Sequence, residues 1–454
     1  MKRVGILGLG SLAVILLVAA PQSDVRIEIS KPGAIALAVT DMRGSGAAQP
    51  LMSVFNTTLY DDLKGSGLFK LVPKGILPLN APQQATDFKG VTNPSPGGSG
   101  AGGYYLSDWS GPPTQANYLA FGYTGVQGGS LVLYGWLFNV TQQTVQGAQV
   151  LGNRYIGDVN EGGARKVAHE FAADIIARFG GTSLAGTHIY FVSDRTGTKE
   201  IWSMDWDGSN QKQITRLHST SIEPAVSPDG TKVAFTSFVK VQPAIFVYST
   251  ETGRALPFYN QRASLNAGAN FTPDGKHIVY SSTAAGGDPQ LYIANVDGSD
   301  FKRISFRRAI CVEPKVNPKT GAEILFVSGP GPQQVYRMDM TGSGVEMVSP
   351  GGGEASNPAW NPDGQHIAFS WTRGFATGKF NVFVMDVSSR QYNQLTHDEG
   401  RNENPTWAPD GMHLVFQSNR RAHTNYQIYS MLADGTDVKQ LTTQGRNYSP
   451  VWGK

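Results

Sequence analysis

Histidines and carboxylates are the side chains in this sequence whose types and spacing could support chemistry. His188, His218, His277, His366, His397 and His413 recur along the chain from residue 188 onward, and imidazoles converging on one point would make a metal centre. Three of them, His277, His366 and His413, occupy the same place, two residues after the Gly of a Pro-Asp-Gly turn. A residue that recurs with a turn serves the turn, so a structural role is expected, with no metal and no cofactor. Glu223 and Glu313 open two copies of one phrase, and such loop carboxylates could hold a cation between them. Cys311, the single cysteine, lies in the apolar "AICVEP" and reads as a small core residue. No G-x-S-x-G elbow occurs, which removes the α/β-hydrolase reading. "GLGSLA" at Gly8 lacks the third Gly of a dinucleotide fingerprint. No catalytic residue is therefore assigned.

The elements that must position these groups follow from composition and repeats. The 454 residues include 54 Gly and 26 Pro, with 10% aromatic and 16% charged, the profile of a turn-rich β protein of two or more domains. Lys2 and Arg3 precede an apolar run from Val4 to about Ala20 that closes on Val18, Ala19 and Ala20. This reads as a secretory signal peptide over residues 1–20, with an uncleaved membrane anchor as the rival reading. The formal charge of +3 includes Lys2 and Arg3, leaving +1 after cleavage. With no dense basic stripe, nucleic acid is not an expected partner. No later segment approaches transmembrane length, and a monomer is expected.

The phrase "EPAVSPDGTKVAFTS" returns as "NFTPDGKHIVYSS", "EPKVNPKTGAEILFVS", "NPAWNPDGQHIAFS" and "NPTWAPDGMHLVFQS". The turn glycines Gly230, Gly275, Gly321, Gly364 and Gly411 are 45, 46, 43 and 47 residues apart, so each period is one supersecondary unit. Pro fixes φ at the first corner, Asp caps the backbone and Gly accepts φ > 0. A second phrase, such as "IWSMDWDGSNQKQIT" or "LYIANVDGSDFKRIS", alternates into an Asp-Gly hairpin and in most copies ends on Ser or Thr. Each unit is thus four antiparallel strands, and radial packing of such sheets gives a β-propeller. Six hairpin phrases give six blades. "NYSPVWGK" stops where an innermost strand should continue, and "GTHIYFVSDRTG" begins without one, so the C-terminal strand should close the ring and remove the exposed sheet edges. Asp194 and Arg195, echoed by Asn419 and Arg420, are expected to tie neighbouring blades.

Before the propeller, residues 21–181 read as a small α/β domain. "DVRIEIS" and "AIALAV" read as strands, and "NYLAFGYTG" and "SLVLYGWLFNV" as a strand pair. Leu51, Phe55, Leu59 and Leu63 line one face of a helix stopping at Gly65. Val167, Phe171, Ile175 and Phe179 line a second, ending at Gly180. Residues 81–103 form a polar Gly/Pro/Ser loop.

The export signal, the "DVRIEIS" arm, "DDLKGSGLFKLV", the bridge "AHEFAADIIARFGGTSLAGTHIYFVSDRTG" and six blades with "SPDG"-type turns together resemble the TolB family, periplasmic propellers of the Tol-Pal system. The resemblance implies a non-enzymatic adaptor supporting outer-membrane integrity and cell division. It implies that the arm Asp24, Val25, Arg26, Ile27, Glu28, Ile29 and Ser30 contacts a TolA-like inner-membrane protein; the alternating apolar residues also suit strand addition to a partner's sheet edge. It further implies that a Pal-like peptidoglycan-associated lipoprotein docks on the propeller face near the channel. There the loops carry Ser221, Ile222 and Glu223; Asn266, Ala267 and Gly268; Val312 and Glu313; Ser356 and Asn357; Asn402, Glu403 and Asn404; and Arg446, Asn447 and Tyr448. The sequence departs from the pattern at Ala269, where the other innermost strands have Pro, and at "NPKTG" in the third turn. The alternative is a propeller module that binds a carbohydrate or small ligand at the channel mouth, and residues 182–454 are assigned to that ring.

Overall fold

The computed structural model describes residues 35–89, 103–349, 352–374, 378–397, 399–421 and 425–454. The signal segment, the Asp24–Ser30 arm and most of the Gly-rich loop lie outside them. Among the described residues no helix is long and apolar enough to cross a membrane.

The N-terminal part is one mixed sheet backed by helices. Strands β1 (Ile35–Val39), β2 (Arg43–Gly44), β3 (Phe69–Leu71), β4 (Tyr118–Gln127), β5 (Ser130–Asn139) and β6 (Gln149–Gly157) order as β3-β1-β4-β5-β6, with β2 on β4. The pairs around β1 are parallel, whereas β4-β5-β6 is antiparallel. Helices α1 (Met52–Gly65), α2 (Leu106–Ser110), α3 (Val145–Ala148) and α4 (Glu161–Arg178) complete it. Phe55, Leu59 and Leu63 of α1 and Val167, Phe171 and Ile175 of α4 are fully buried together, so the helical stripes read from the sequence are the core. Strand β6 was not anticipated, because Gly152, Asn153 and Arg154 interrupt its apolar rhythm. At the seam with the propeller, His169 of α4 bonds Asp62 of α1 at 2.7 Å, and its ring meets Trp206 edge-on at 6.3 Å.

The remainder is six four-stranded antiparallel sheets arranged as a propeller. Blade 1 joins Asn447–Gly453 to His188–Ser193, Glu200–Asp205 and Lys212–Gln213, so the ring is closed by the C-terminal strand as expected. Blades 2 to 6 begin with innermost strands Ser221–Val226, Asn266–Phe271, Cys311–Val316, Ala355–Trp360 and Asn402–Trp407. Every pair of adjacent blades shares a buried apolar cluster; Ala225, Ile245 and Val247 of blade 2, for example, pack on Phe271, Ile278 and Tyr280 of blade 3. This supplies the second face that a lone sheet lacks.

The Ser or Thr ending the second phrase has a physical cause. Thr215, Ser305, Ser349, Thr396 and Thr442 each accept from the N–H near the start of the third strand, at 2.8 to 2.9 Å. Each also donates to the side chain one residue earlier, Glu200, Gln290, Gln334, Asn381 or Gln427. One hydroxyl thus locks a two- or three-residue outer strand that could not hold itself. In blade 2 Asn260 takes its place. The repeated histidines pair with their turn aspartates: His366 with Asp363 at 2.5 Å and His413 with Asp410 at 2.6 Å. Arg195 bonds Ser193, Gln211 and Asn447 and stacks on Trp202, and Arg420 bonds Ser418 and Asn402. The Arg195 and Arg420 hydrogen bonds fasten strands of their own blades, a correction to the expectation that they bridge two, while Arg420 also pairs with Glu399 and Asp194 with Arg446 on the connections that enter blades 6 and 1.

Candidate functional site: the channel mouth

Each innermost strand carries a register irregularity after its second residue. The residue there takes a left-handed conformation: Glu223 (φ 55), Gly268 (64), Glu313 (54), Asn357 (51), Asn404 (53) and Ser449 (45). A bulge puts one extra residue against its partner strand and re-aims a side chain. Repeated six times, it presents a ring of five side chains and one glycine to the axis. For a non-Gly residue this backbone costs about 1–2 kcal/mol, which five blades tolerate. Blade 3 uses Gly268, where an added Cβ would meet nothing closer than 3.8 Å.

The six ring residues, with Pro224, Ala269, Lys315 and Thr406 among others, line a cavity of about 120 Å³. Hydrogen bonds run round the wall from blade to blade. Thr236 Oγ1 donates to Glu223 Oε2 (3.1 Å) and accepts from Gly268 N (3.1 Å). Asn357 N donates to Glu313 Oε2 at 2.7 Å. Ser370 Oγ donates to Asn357 Oδ1 and accepts from Asn404 N, both at 3.0 Å. Asn404 Nδ2 and Ser449 N both donate to Gln417 Oε1 (3.0 and 2.8 Å). Burial pushes Glu313 up to about 7, and Glu223 adds to the rise, while Asn357 and Lys315 oppose it. Burial pushes the Lys315 ammonium down, and the two glutamates resist. The channel mouth is therefore a hydrogen-bonded polar ring in which burial pushes the Glu313 carboxyl up to about 7.

The expected face residues separate into three groups. Glu223, Gly268, Glu313, Asn357 and Asn404 come together in the ring. Ile222, Ala267, Val312, Ser356, Glu403 and Tyr448 stand one step before them, partly accessible, and Arg446 is exposed, pairing with Asp194. Ser221, Asn266, Asn402 and Asn447 are buried, with their side chains bonded inside the protein. They present no surface to a partner in this structure, because the first residue of each innermost strand points between blades.

The sequence reading missed Ser449, Lys315 and the loop Phe238, Val239 and Val241, whose side chains are exposed, Val241 almost entirely. Ser449 was findable by aligning "NYSP" with "NENP", which sets it opposite Asn404. Tyr426 was also missed; it donates to Glu403 Oε2 at 2.7 Å and packs on Tyr448.

The TolB beta propeller domain family matches residues 187–371 and 346–454, more than half of the chain. The chain belongs to this family. A TolB homolog of Chlorobium chlorochromatii is 30% identical to this TolB-family chain over 314 residues, 69% of this chain and 65% of the relative. A Tol-Pal system protein TolB of Bordetella parapertussis is 27% identical over 346 residues, 63% of this chain and 70% of the relative. The match thus spans slightly under two thirds of the Chlorobium chlorochromatii relative's length. The crystal structure of TolB from Acinetobacter baumannii superposes with a TM-score of 0.73 at 22% identity, covering 93% of this chain and 97% of that one. The small α/β region followed by six blades is therefore the TolB fold.

Proposed function

We propose that this TolB-family chain is a non-enzymatic periplasmic adaptor of a Tol-Pal system, exported by residues 1–20, that supports outer-membrane integrity and cell division. The carrying observation is the ring of six left-handed residues, which turns a propeller face into a preorganised polar mouth. Its partly accessible rim, Ile222, Val312, Glu403 and Tyr448, gives mixed apolar and polar contacts of the kind found at protein interfaces. Phe238, Val239 and Val241 follow the second strand of blade 2 and extend the same face. A Pal-like lipoprotein is its proposed partner there, and the arm Asp24–Ser30 is the proposed contact for a TolA-like protein.

A pull-down from envelope extract tests this. The parent should retain a peptidoglycan-associated lipoprotein, and Tyr448→Ala with Val241→Asp should lose it while the ring stays folded. Val25→Asp with Ile27→Asp should lose the inner-membrane partner alone. Binding of a glycan with no protein partner would overturn the adaptor reading in favour of the small-ligand module, which the channel charges Glu223, Glu313 and Lys315 also suit.

A further inference from the structure

The outer edge of blade 3 carries a cluster that the channel mouth does not use. Its outermost strand is Lys302–Arg303, and "FKRISFRR" runs from Phe301 to Arg308. Four cations thus fall within seven residues, and among the described residues none of them is in an ion pair. Arg303 Nε donates to Ser305 O at 2.6 Å, whereas Arg307 turns to blade 4, where its Nε donates to Ser328 Oγ at 3.1 Å and its guanidinium lies over Tyr336 at 4.3 Å. Lys302 and Arg308 are exposed. The two acids of the same hairpin, Asp297 and Asp300, accept from Ser299 and Asn295, and the segment 297–308 keeps a net charge of +2 from four cations and two anions. Like charges side by side repel, and with two acids against four cations and no ion pair among them the segment favours an external anion.

Large aromatics stand among these cations. Phe306 is 68% exposed, Tyr259 57% and Phe301 41%. Tyr259 and Phe301 stack at 6.0 Å, and Arg303 lies over Phe306 at 5.0 Å. Exposed aromatics are ordinary singly, but the Tyr259–Phe301 stack at the seam with blade 2 and Phe306 at the seam with blade 4 put three along one stretch of rim, which marks an interaction surface. The cluster lies three strands out from the channel in the order 266–271, 277–282, 290–295, 302–303, about 14 Å at sheet spacing. It therefore belongs to the rim of the wheel and not to its mouth.

We propose that this edge rests on an anionic phospholipid surface. Rings without a polar handle seat at the headgroup boundary while Lys and Arg extend to the phosphates. An outer edge offers itself to a broad plane rather than enclosing a ligand, and its positive charge selects anionic lipid. The inference is independent of the adaptor reading, since it uses none of the ring residues.

Co-sedimentation with vesicles tests it. The parent chain should bind equimolar phosphatidylglycerol and phosphatidylcholine but not phosphatidylcholine alone, and binding should fall with added salt. Each cation near an anionic surface contributes about fivefold to partitioning, so Lys302→Gln with Arg308→Gln should weaken binding about 25-fold. Phe306→Ser should weaken it without changing the salt dependence. Both variants should keep the parent's melting temperature and its retention of the lipoprotein, which separates this proposal from the function proposed above. Equal binding to neutral vesicles, no binding, or binding unaffected by Lys302→Gln with Arg308→Gln would overturn it. So would equally tight binding of soluble heparin that Phe306→Ser leaves unchanged, which would mean a general polyanion site.

Discussion

Replacing Glu313 by Gln should make the propeller more stable at high pH and leave it nearly unchanged at low pH. Burial raises the carboxyl from 4.5 to about 7. The folded state thus favours the acid form: that preference costs nothing below the unfolded value, and stability is lost as pH rises through about 7. At about 1.36 kcal/mol per unit, the full loss is about 3 kcal/mol. Gln keeps a carbonyl to accept from Asn357 N and sheds the charge, but it also takes a counterion from Lys315, whose ammonium Glu313 supports. The net gain at alkaline pH is therefore about 1–2 kcal/mol, or roughly 2–8 °C in Tm for a domain of this size. Thermal unfolding followed by tryptophan fluorescence at about pH 5 and about pH 8 reads it directly. Parallel curves for parent and Glu313→Gln at both pH values would show that the channel is well hydrated and would refute the argument.

Two further outcomes are expected. Ser349→Ala removes a hydroxyl that both accepts from Val335 N and donates to Gln334, so it should destabilise by about 1–3 kcal/mol; a denaturant midpoint equal to the parent's would remove the outer strand's lock from the account. Trp452 is buried in the cluster shared by blades 1 and 6, and its Nε1 donates to Thr187 Oγ1 at 2.9 Å. Trp452→Ala should cost about 3–5 kcal/mol, and limited proteolysis should then cut first near residues 187–193; unchanged proteolysis would contradict closure by this strand.

The repeat architecture was legible because turn chemistry punctuates it: Pro-Asp-Gly and Asp-Gly mark two corners of a blade, and the missing strand at one boundary matches the spare one at the other. Helices α1 and α4 were legible from their four-residue apolar spacing. The ring was legible only in part. Glu223, Glu313, Asn357 and Asn404 stood out by type, but nothing in the sequence says that these positions are left-handed or that the residues just before them differ in exposure. Asn266 and Asn402 read as surface polar groups yet are buried, because the Gln261 carbonyl in the preceding loop and the Asn381 side chain on the neighbouring blade supply partners that residue type alone does not reveal. Lys315 was passed over because a lone lysine on a strand ordinarily extends to solvent, whereas here it faces the axis.

Closure of blade 1 also bears on how the molecule is made. Trp452 and Thr187 are 265 positions apart, and their strands must find each other before any wheel exists. Until then blade 6 and the unfinished first blade each expose a raw edge, so the assembly interval is the stage most open to misjoining. A contact of such long range is slow to form. A chain that crosses a membrane unfolded would therefore need its far end delivered before the near end could settle, which makes transit and maturation separate events.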